Sequence, residues 1–189
     1  MLLDRLRGGT RQSLGESKAV ARHILAHPEL LPELFPAFET NDRVLISRAV
    51  DALEAVCAAR PQLLQPYKRF ILTLLGQFDF WEVREHVCLM LPQLSLTHDE
   101  RLEAFEMVRQ WLGDRSSIVR TFALQTMYDL ARQDPALTDE AELELEKALR
   151  NGTPAMRARA RILLGVKRGS NTLRRRERPQ PSPGGYGNS

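Results

Sequence analysis

The chain has 189 residues, of which 43% are hydrophobic, 6% aromatic and 27% charged, and its net charge is +3. This composition supports a sizeable buried core and excludes an intrinsically disordered chain, while a content of two cysteines excludes a disulfide framework. No run approaches the roughly 18 uncharged apolar residues of a membrane span, so the sequence predicts none.

The N-terminal residues 1–40 lack a regular helical pattern. The first nine residues carry Asp4 and two arginines and have no apolar stretch of signal-peptide length, which predicts a cytoplasmic, reducing location. Residues 13–27 and 29–39 are expected to form a short helical pair that contains several prolines. Because terminal repeats are often atypical, we interpret residues 1–40 as an irregular capping pair.

Four similar segments recur along the next part of the chain. They begin at Ile46, Val83, Val119 and Met156, with spacings of 37, 36 and 37 residues. Each segment has a second apolar residue four positions later, and residues at i and i+4 lie on one face of a helix. The spacing therefore predicts repeated units of two helices, with an apolar stripe on each first helix.

Helix starts and ends are marked at the same period. The candidate N-caps are Asp42, Asp79, Asp114 and Thr153, the last followed by proline in the favoured order. The glycines that can end a unit in the left-handed conformation are Gly76, Gly113 and Gly152. First helices are predicted at 43–59, 80–94, 116–133 and 154–165, and second helices at 62–75, 98–112 and 138–150.

The first helices share an apolar-Arg-x-x-apolar pattern after an Asp or Pro cap, over about residues 40–166. This pattern resembles the HEAT repeats, an armadillo-like α-solenoid family, although Ser47 replaces the arginine in the first full unit. Related armadillo-like arrays share these features. The resemblance implies an all-α domain over residues 1–166, folded as a right-handed α-α superhelix. It also implies a structural ladder of arginines with acidic residues of neighbouring units, formed by Arg84, Arg120 and Arg157.

A stack of helix pairs presents an extended surface rather than an enclosed pocket. This architecture favours a macromolecular partner over a small-molecule substrate. The resemblance implies that second helices line the concave side, where the candidate partner-binding residues are Lys68, Arg69, Arg101 and Arg109. Alternatively, these charges only solvate the helices. We therefore expect a non-catalytic adaptor or scaffold that binds a protein partner.

The C-terminal segment 167–189 is rich in Pro and Gly and is predicted to be a disordered tail. From residue 153 onward the chain has nine basic residues and one acid, whereas residues 1–152 hold 18 basic and 23 acidic residues. The tail could bind nucleic-acid phosphates, an acidic protein or anionic lipid headgroups, or it could only solubilise the chain. Its basic residues are Lys167, Arg168, Arg174, Arg175, Arg176 and Arg178.

Patterns typical of catalysis or metal binding are weak. His23 and His27 have the i, i+4 spacing of metal ligands, but the sequence places no third ligand beside them, so no metal is predicted. HEAT-like di-iron hydroxylases depend on His-Glu dipeptides, which this sequence lacks. It also has no phosphate-binding loop, nucleophile elbow or Cys/His cluster, so we predict neither enzyme activity nor a cofactor.

Two alternatives to a protein-binding role involve nucleic acids. The basic tail, alone or with the second-helix surface, could bind a phosphate backbone. HEAT-like DNA glycosylases that excise alkylated bases combine tryptophans with a helical aspartate, and Trp81 and Glu85 stand four residues apart. Glu85 departs from the expected aspartate, and packing of Trp81 between repeats is the simpler interpretation.

Overall fold

The computed structural model describes residues 2–7, 15–73 and 75–165. This part of the chain is all-helical and contains no strand. Within these residues, no helix combines the length and the hydrophobicity of a membrane span. Short 3-10 helices join the α-helices, the longest of them spanning Pro28–Glu39. The α-helices are α1 (Leu2–Leu6), α2 (Ser17–Ala26), α3 (Arg43–Ala59), α4 (Lys68–Thr73), α5 (Trp81–Met90), α6 (His98–Gln110), α7 (Ser117–Ala131), α8 (Thr138–Asn151) and α9 (Pro154–Leu163).

The first helices of the units pack side by side. Helix α3 contacts α5, α5 contacts α7, and α7 contacts α9, while α2 packs on α3 at the N-terminal end. The second helices α6 and α8 both contact α7, and α8 also contacts α9. The four repeat positions Ile46, Val83, Val119 and Met156 are all buried. The apolar stripe predicted from the repeat spacing is therefore confirmed.

Burial of these stripes holds the units together. One hydrophobic cluster runs from Leu2 in α1 to Ala141 in α8, and a smaller cluster at the C-terminal end includes Leu145 and Met156. Fully burying a large aliphatic side chain contributes roughly 1.5–3 kcal/mol. Short helices in isolation are marginally stable in water, so packing between helices is the main source of their stability.

Side-chain caps fix two of the predicted helix starts. Asp42 accepts hydrogen bonds from the backbone N–H groups of Val44 and Leu45 at the start of α3. Thr153 accepts one from Met156 at the start of α9. A cap of this type contributes about 1 kcal/mol because it satisfies N–H groups that have no partner within the helix.

The other two predicted caps are wrong. Helix α5 follows Phe80 without a side-chain cap, and Asp79 precedes that position. Ser116, and not Asp114, caps α7. Asp114 instead accepts the N–H of Ser116 with one carboxylate oxygen, at 2.7 Å. Its second oxygen is available to Arg84 of the preceding unit.

The second helix of the first full unit differs most from the prediction of 62–75. Helix α4 spans Lys68–Thr73, and two 3-10 turns, Pro61–Leu63 and Gln65–Tyr67, precede it. Pro66 has no N–H group, and its ring disfavours the α conformation of the residue before it. A continuous α-helix therefore begins only after this proline.

The glycines between units do not adopt the left-handed conformation that the sequence predicts. Among the described residues, positive φ angles occur at Gly15 and Gly165. Gly152 is extended, with φ −71° and ψ 171°. A Cβ atom at this position would lie 2.9 Å from the Cβ of Met156, so the missing side chain allows close packing between α8 and α9.

Candidate functional site

The basic residues of the second helices pair with acidic residues of the next unit. The Lys68 ammonium lies 2.6 Å from a Glu100 carboxylate oxygen, and the Arg69 guanidinium lies 2.5 Å from Glu103. Arg109 pairs with Glu106 on its own helix at 2.6 Å and with Glu140 on α8 at 3.5 Å. These contacts neutralise the charges that the sequence assigns to partner binding.

Arg101 on α6 belongs to a group centred on Asp134, which is buried and lies between α7 and α8. Its guanidinium lies 3.2 Å from a carboxylate oxygen of Asp134 and donates to the carbonyl of Leu96. His98 Nδ1 lies 2.7 Å from the same Asp134 oxygen. The hydrogen bond from His98 holds the pKa of Asp134 below its usual range. Arg101 is therefore a connector between units in this structure, and its role toward a partner stays a prediction.

The continuous ladder of first-helix arginines is not formed among the described residues. Arg84 pairs with Asp114 of the next unit and donates to the carbonyl of Phe78 at 3.0 Å. Arg157 donates to the carbonyl of Gly152 at 2.9 Å. The Arg120 side chain makes no hydrogen bond or ion pair with any described residue, and its Nε atom is buried. Of the three arginines, Arg84 alone has a carboxylate partner within residues 2–7, 15–73 and 75–165.

A group of carboxylates lies where α3 packs against α5. Asp51 is 3% exposed and accepts a hydrogen bond from the hydroxyl of Ser17 on α2. The Lys18 ammonium lies 3.0 Å from Asp51 and 3.9 Å from Glu54. Glu85 lies on α5, and its carboxylate makes no hydrogen bond or ion pair within the described part of the chain. Lys18 therefore pairs with two of these three carboxylates, and Glu85 has no cation beside it among the described residues.

Partial burial shifts the pKa values of this group. Desolvation raises the pKa of Glu85, and the nearby charges of Asp51 and Glu54 raise it further. Desolvation also raises the pKa of Glu54, against the attraction of Lys18. Burial lowers the pKa of His86, whose imidazole lies between these acids. A cation from outside the chain would relieve the repulsion between the carboxylates.

Asp51, Glu54 and His86 form a set of possible metal ligands. Each offers one ligand atom, and these atoms lie within 4.8 Å of one another. Carboxylate oxygens and neutral imidazole nitrogens bind divalent cations, but a metal would first have to displace the Lys18 ammonium. These residues cannot be recognised as a group from the sequence, because their proximity depends on the packing of α3 against α5.

Trp81 stands one turn before Glu85 on α5 and is 36% exposed. The predicted packing of its indole between repeats is therefore incomplete, and part of the ring faces solvent. Trp111, in contrast, is 5% exposed, and its ring faces the Arg84 guanidinium. We define the acidic face as the half-buried carboxylates of Glu54 and Glu85, the buried Asp51 that adjoins them, and the exposed ring of Trp81.

Other candidates lie outside this surface. The rings of His23 and His27 are 5.0 Å apart, and both residues are exposed. They belong to no group of three possible metal ligands in the described ranges. The six basic residues of the tail, from Lys167 to Arg178, lie outside the residues that the structure describes.

Both cysteines are expected to be unreactive in the folded protein. Desolvation raises the pKa of Cys57 and of Cys88 to about 12, and each side chain is buried. Because the thiolate is the reactive species, a colorimetric thiol reagent at pH 8 should label neither residue in native protein and both after denaturation. Rapid labelling of either cysteine under native conditions would contradict this burial.

Comparisons with protein-family models, with curated proteins and with solved structures find no match to this chain. The repeat spacing, the packing of the helices and the chemistry of the surface are therefore the features that bear on its class. These observations combine stacked two-helix units, paired charges on the second helices, and the unpaired Glu85 carboxylate on a first helix.

Proposed function

We propose that the chain is a HEAT-like α-solenoid, a right-handed superhelix over residues 1–166, that serves as a non-catalytic adaptor for a protein partner. The repeat period and the successive packing of α3, α5, α7 and α9 support this class. Two free, buried cysteines fit a reducing, cytoplasmic location.

The acidic face is the surface that best supports partner binding. The observation that carries this proposal is the half-buried Glu85 carboxylate, which has no partner in the described residues and stands one turn from an exposed indole. Partly desolvated charges interact more strongly than fully solvated ones. An oppositely charged group would therefore gain more here than at the paired residues of the second helices.

The partner's binding segment should carry arginine or lysine. Such a side chain could pair with Glu85 and lie over the face of Trp81, and a cation over an indole gains about 0.5–2 kcal/mol. Tryptophan and arginine are also common among the residues that dominate binding energy at protein interfaces. A basic protein segment thus satisfies both the unpaired charge and the exposed ring.

Nucleic-acid binding is less well supported. Lys68, Arg69, Arg101 and Arg109 already have carboxylate partners, so the second helices offer little unpaired positive charge to phosphates. The acidic face would repel a phosphate backbone, which also weakens the case for base excision at Trp81 and Glu85. The basic tail remains the predicted site for any contact with nucleic acid.

The test compares the wild type with three variants of the full chain in affinity capture, and two of these variants make the same charge change at different positions. Trp81→Ala and Glu85→Lys should each weaken binding of the captured partner by at least about tenfold, because both remove central contacts of the acidic face. Glu142→Lys makes the same charge change at an exposed position of α8 and should leave binding unchanged.

Two measurements complete this experiment. Circular dichroism should show equal helix content in all variants, so that loss of binding is not loss of fold. Mass spectrometry should identify a basic segment in the partner that cross-links to the acidic face. Equal capture by wild type, Trp81→Ala and Glu85→Lys would exclude the acidic face as the binding site.

A further inference from the structure

A cleft of about 440 Å³ opens at the C-terminal end of the described residues, where α7, α8 and the start of α9 meet. Leu112, Ala148 and Met156 provide apolar parts of its wall. None of its lining residues belongs to the acidic face. The polar residues that line it are Arg120, Glu144, Lys147, Asn151 and Thr153.

Arg120 enters this cleft without a partner from the described chain. Its Nε atom is buried and makes no hydrogen bond, and no ion pair reaches its guanidinium. A partly buried charged donor without an acceptor is unfavourable, so such groups in proteins are usually paired. The guanidinium is thus able to receive an acceptor from a ligand.

The preceding unit shows which acceptor fits this position. Arg84 and Arg120 are the fourth residues of α5 and α7, and Arg84 pairs with Asp114. Asp114 stands two residues before the cap of α7. The residue two positions before the cap of α9 is Asn151, whose amide carries no charge. Arg120 therefore corresponds to Arg84, but an uncharged asparagine stands where the carboxylate corresponding to Asp114 would be.

The charges in the cleft select a singly charged ligand. The Lys147 ammonium lies 2.7 Å from a Glu144 carboxylate oxygen, so these two groups neutralise each other. Arg120 then contributes one net positive charge beside the apolar wall. A carboxylate on a short apolar chain matches this arrangement, whereas a phosphate dianion would bring excess negative charge close to Glu144.

We infer that this cleft is a binding site for a ligand carboxylate, which pairs with Arg120 in the way that Asp114 pairs with Arg84. The planar guanidinium can donate two parallel hydrogen bonds to one carboxylate. The ligand's apolar part would contact Met156 and Leu112. This inference does not rest on the proposed protein-binding role of the acidic face.

Butyrate is a suitable probe, because it combines one carboxylate with a short apolar chain. In a titration of the full chain followed by NMR, the Nε–Hε signal of Arg120 should shift saturably with butyrate and not with chloride at equal ionic strength. No saturable shift, or an equal shift with phosphate, would overturn the assignment to a carboxylate.

Two substitutions and a control make the test specific. Asn151→Asp supplies an internal carboxylate, so it should raise the Tm, place the Arg120 signal at its butyrate-bound position and abolish the response to butyrate. Arg120→Gln should abolish the rise of Tm that butyrate causes in the wild type. Arg132→Gln changes an exposed arginine just after α7 and should retain that rise.

The variants also give outcomes that contradict the inference. If Asn151→Asp still responds to butyrate as the wild type does, the ligand does not occupy the position that corresponds to Asp114. If Arg120→Gln keeps the butyrate-dependent rise of Tm, the carboxylate binds elsewhere. The first result excludes the Asp114-like position and the second excludes Arg120, so each of them overturns the inference.

Discussion

Replacing Phe105 by alanine should lower the free energy of unfolding by about 3–5 kcal/mol. Phe105 lies on α6, is 0% exposed, and is among the largest fully buried side chains of the main hydrophobic cluster. Its removal loses the transfer free energy of the ring and leaves a cavity that rigid helices can close only in part. Urea denaturation followed by circular dichroism at 222 nm, a wavelength that reports helix content, measures the loss.

Leu102→Ala is the matched control on the same helix. Leu102 stands one turn before Phe105 and is 37% exposed, so truncation there should change the free energy of unfolding by no more than about 0.5 kcal/mol. A comparable loss in both variants would mean that α6 is not packed by one face against the core. A small loss for Phe105→Ala alone would contradict the tight packing of this position.

The repeat and its core could be predicted because they depend on local periodicity. Ile46, Val83, Val119 and Met156 recur at nearly constant spacing, and a helix with an apolar stripe must bury that stripe. The unit boundaries follow from the same spacing. The prediction failed where one proline changed the local backbone, since Pro66 divides the expected helix 62–75 into 3-10 turns and the short α4.

The candidate sites depend on contacts between units, which periodicity does not reveal. Lys68 and Glu100 are 32 residues apart, and their pairing becomes visible only when α4 and α6 are neighbours in space. The acidic face likewise needs α3 beside α5. A sequence shows which residues are charged, but the register between helices decides which charges neutralise each other and which stay unpaired.

The distribution of paired and unpaired charges relates the fold to its proposed role. Ion pairs on the second helices link successive units, and the exposed ones, such as Arg69 with Glu103, contribute only about 0–1 kcal/mol each. The first helices instead keep Glu85 and Arg120 without partners in the described chain. Both residues are partly buried, so an external partner of opposite charge would gain more from them than from solvated side chains.

Gly152→Ala should destabilise the protein by about 1–3 kcal/mol, although alanine is ordinarily the better tolerated residue beside a helix. Its Cβ would overlap the carbonyl oxygen of Ala148 and approach the Cβ of Met156 to 2.9 Å. The backbone has little freedom to move away, because the N–H of Gly152 donates to Ala148 and its carbonyl accepts from Arg157. A shifted α9 would therefore accompany the substitution, and thermal denaturation should show a lower Tm.

Gly113→Ala is the control, because Gly113 ends the preceding unit at the corresponding place. A Cβ there meets no atom within 4 Å, and its φ is not in the left-handed range. This substitution should be neutral or stabilise by up to about 1 kcal/mol, since alanine reduces the conformational entropy of the unfolded chain. Equal effects of the two substitutions would show that α8 and α9 are not closely packed at Gly152. A lower Tm for Gly152→Ala alone would show that Gly152 is needed for close packing of α8 and α9, and not for a left-handed turn at the end of the helix.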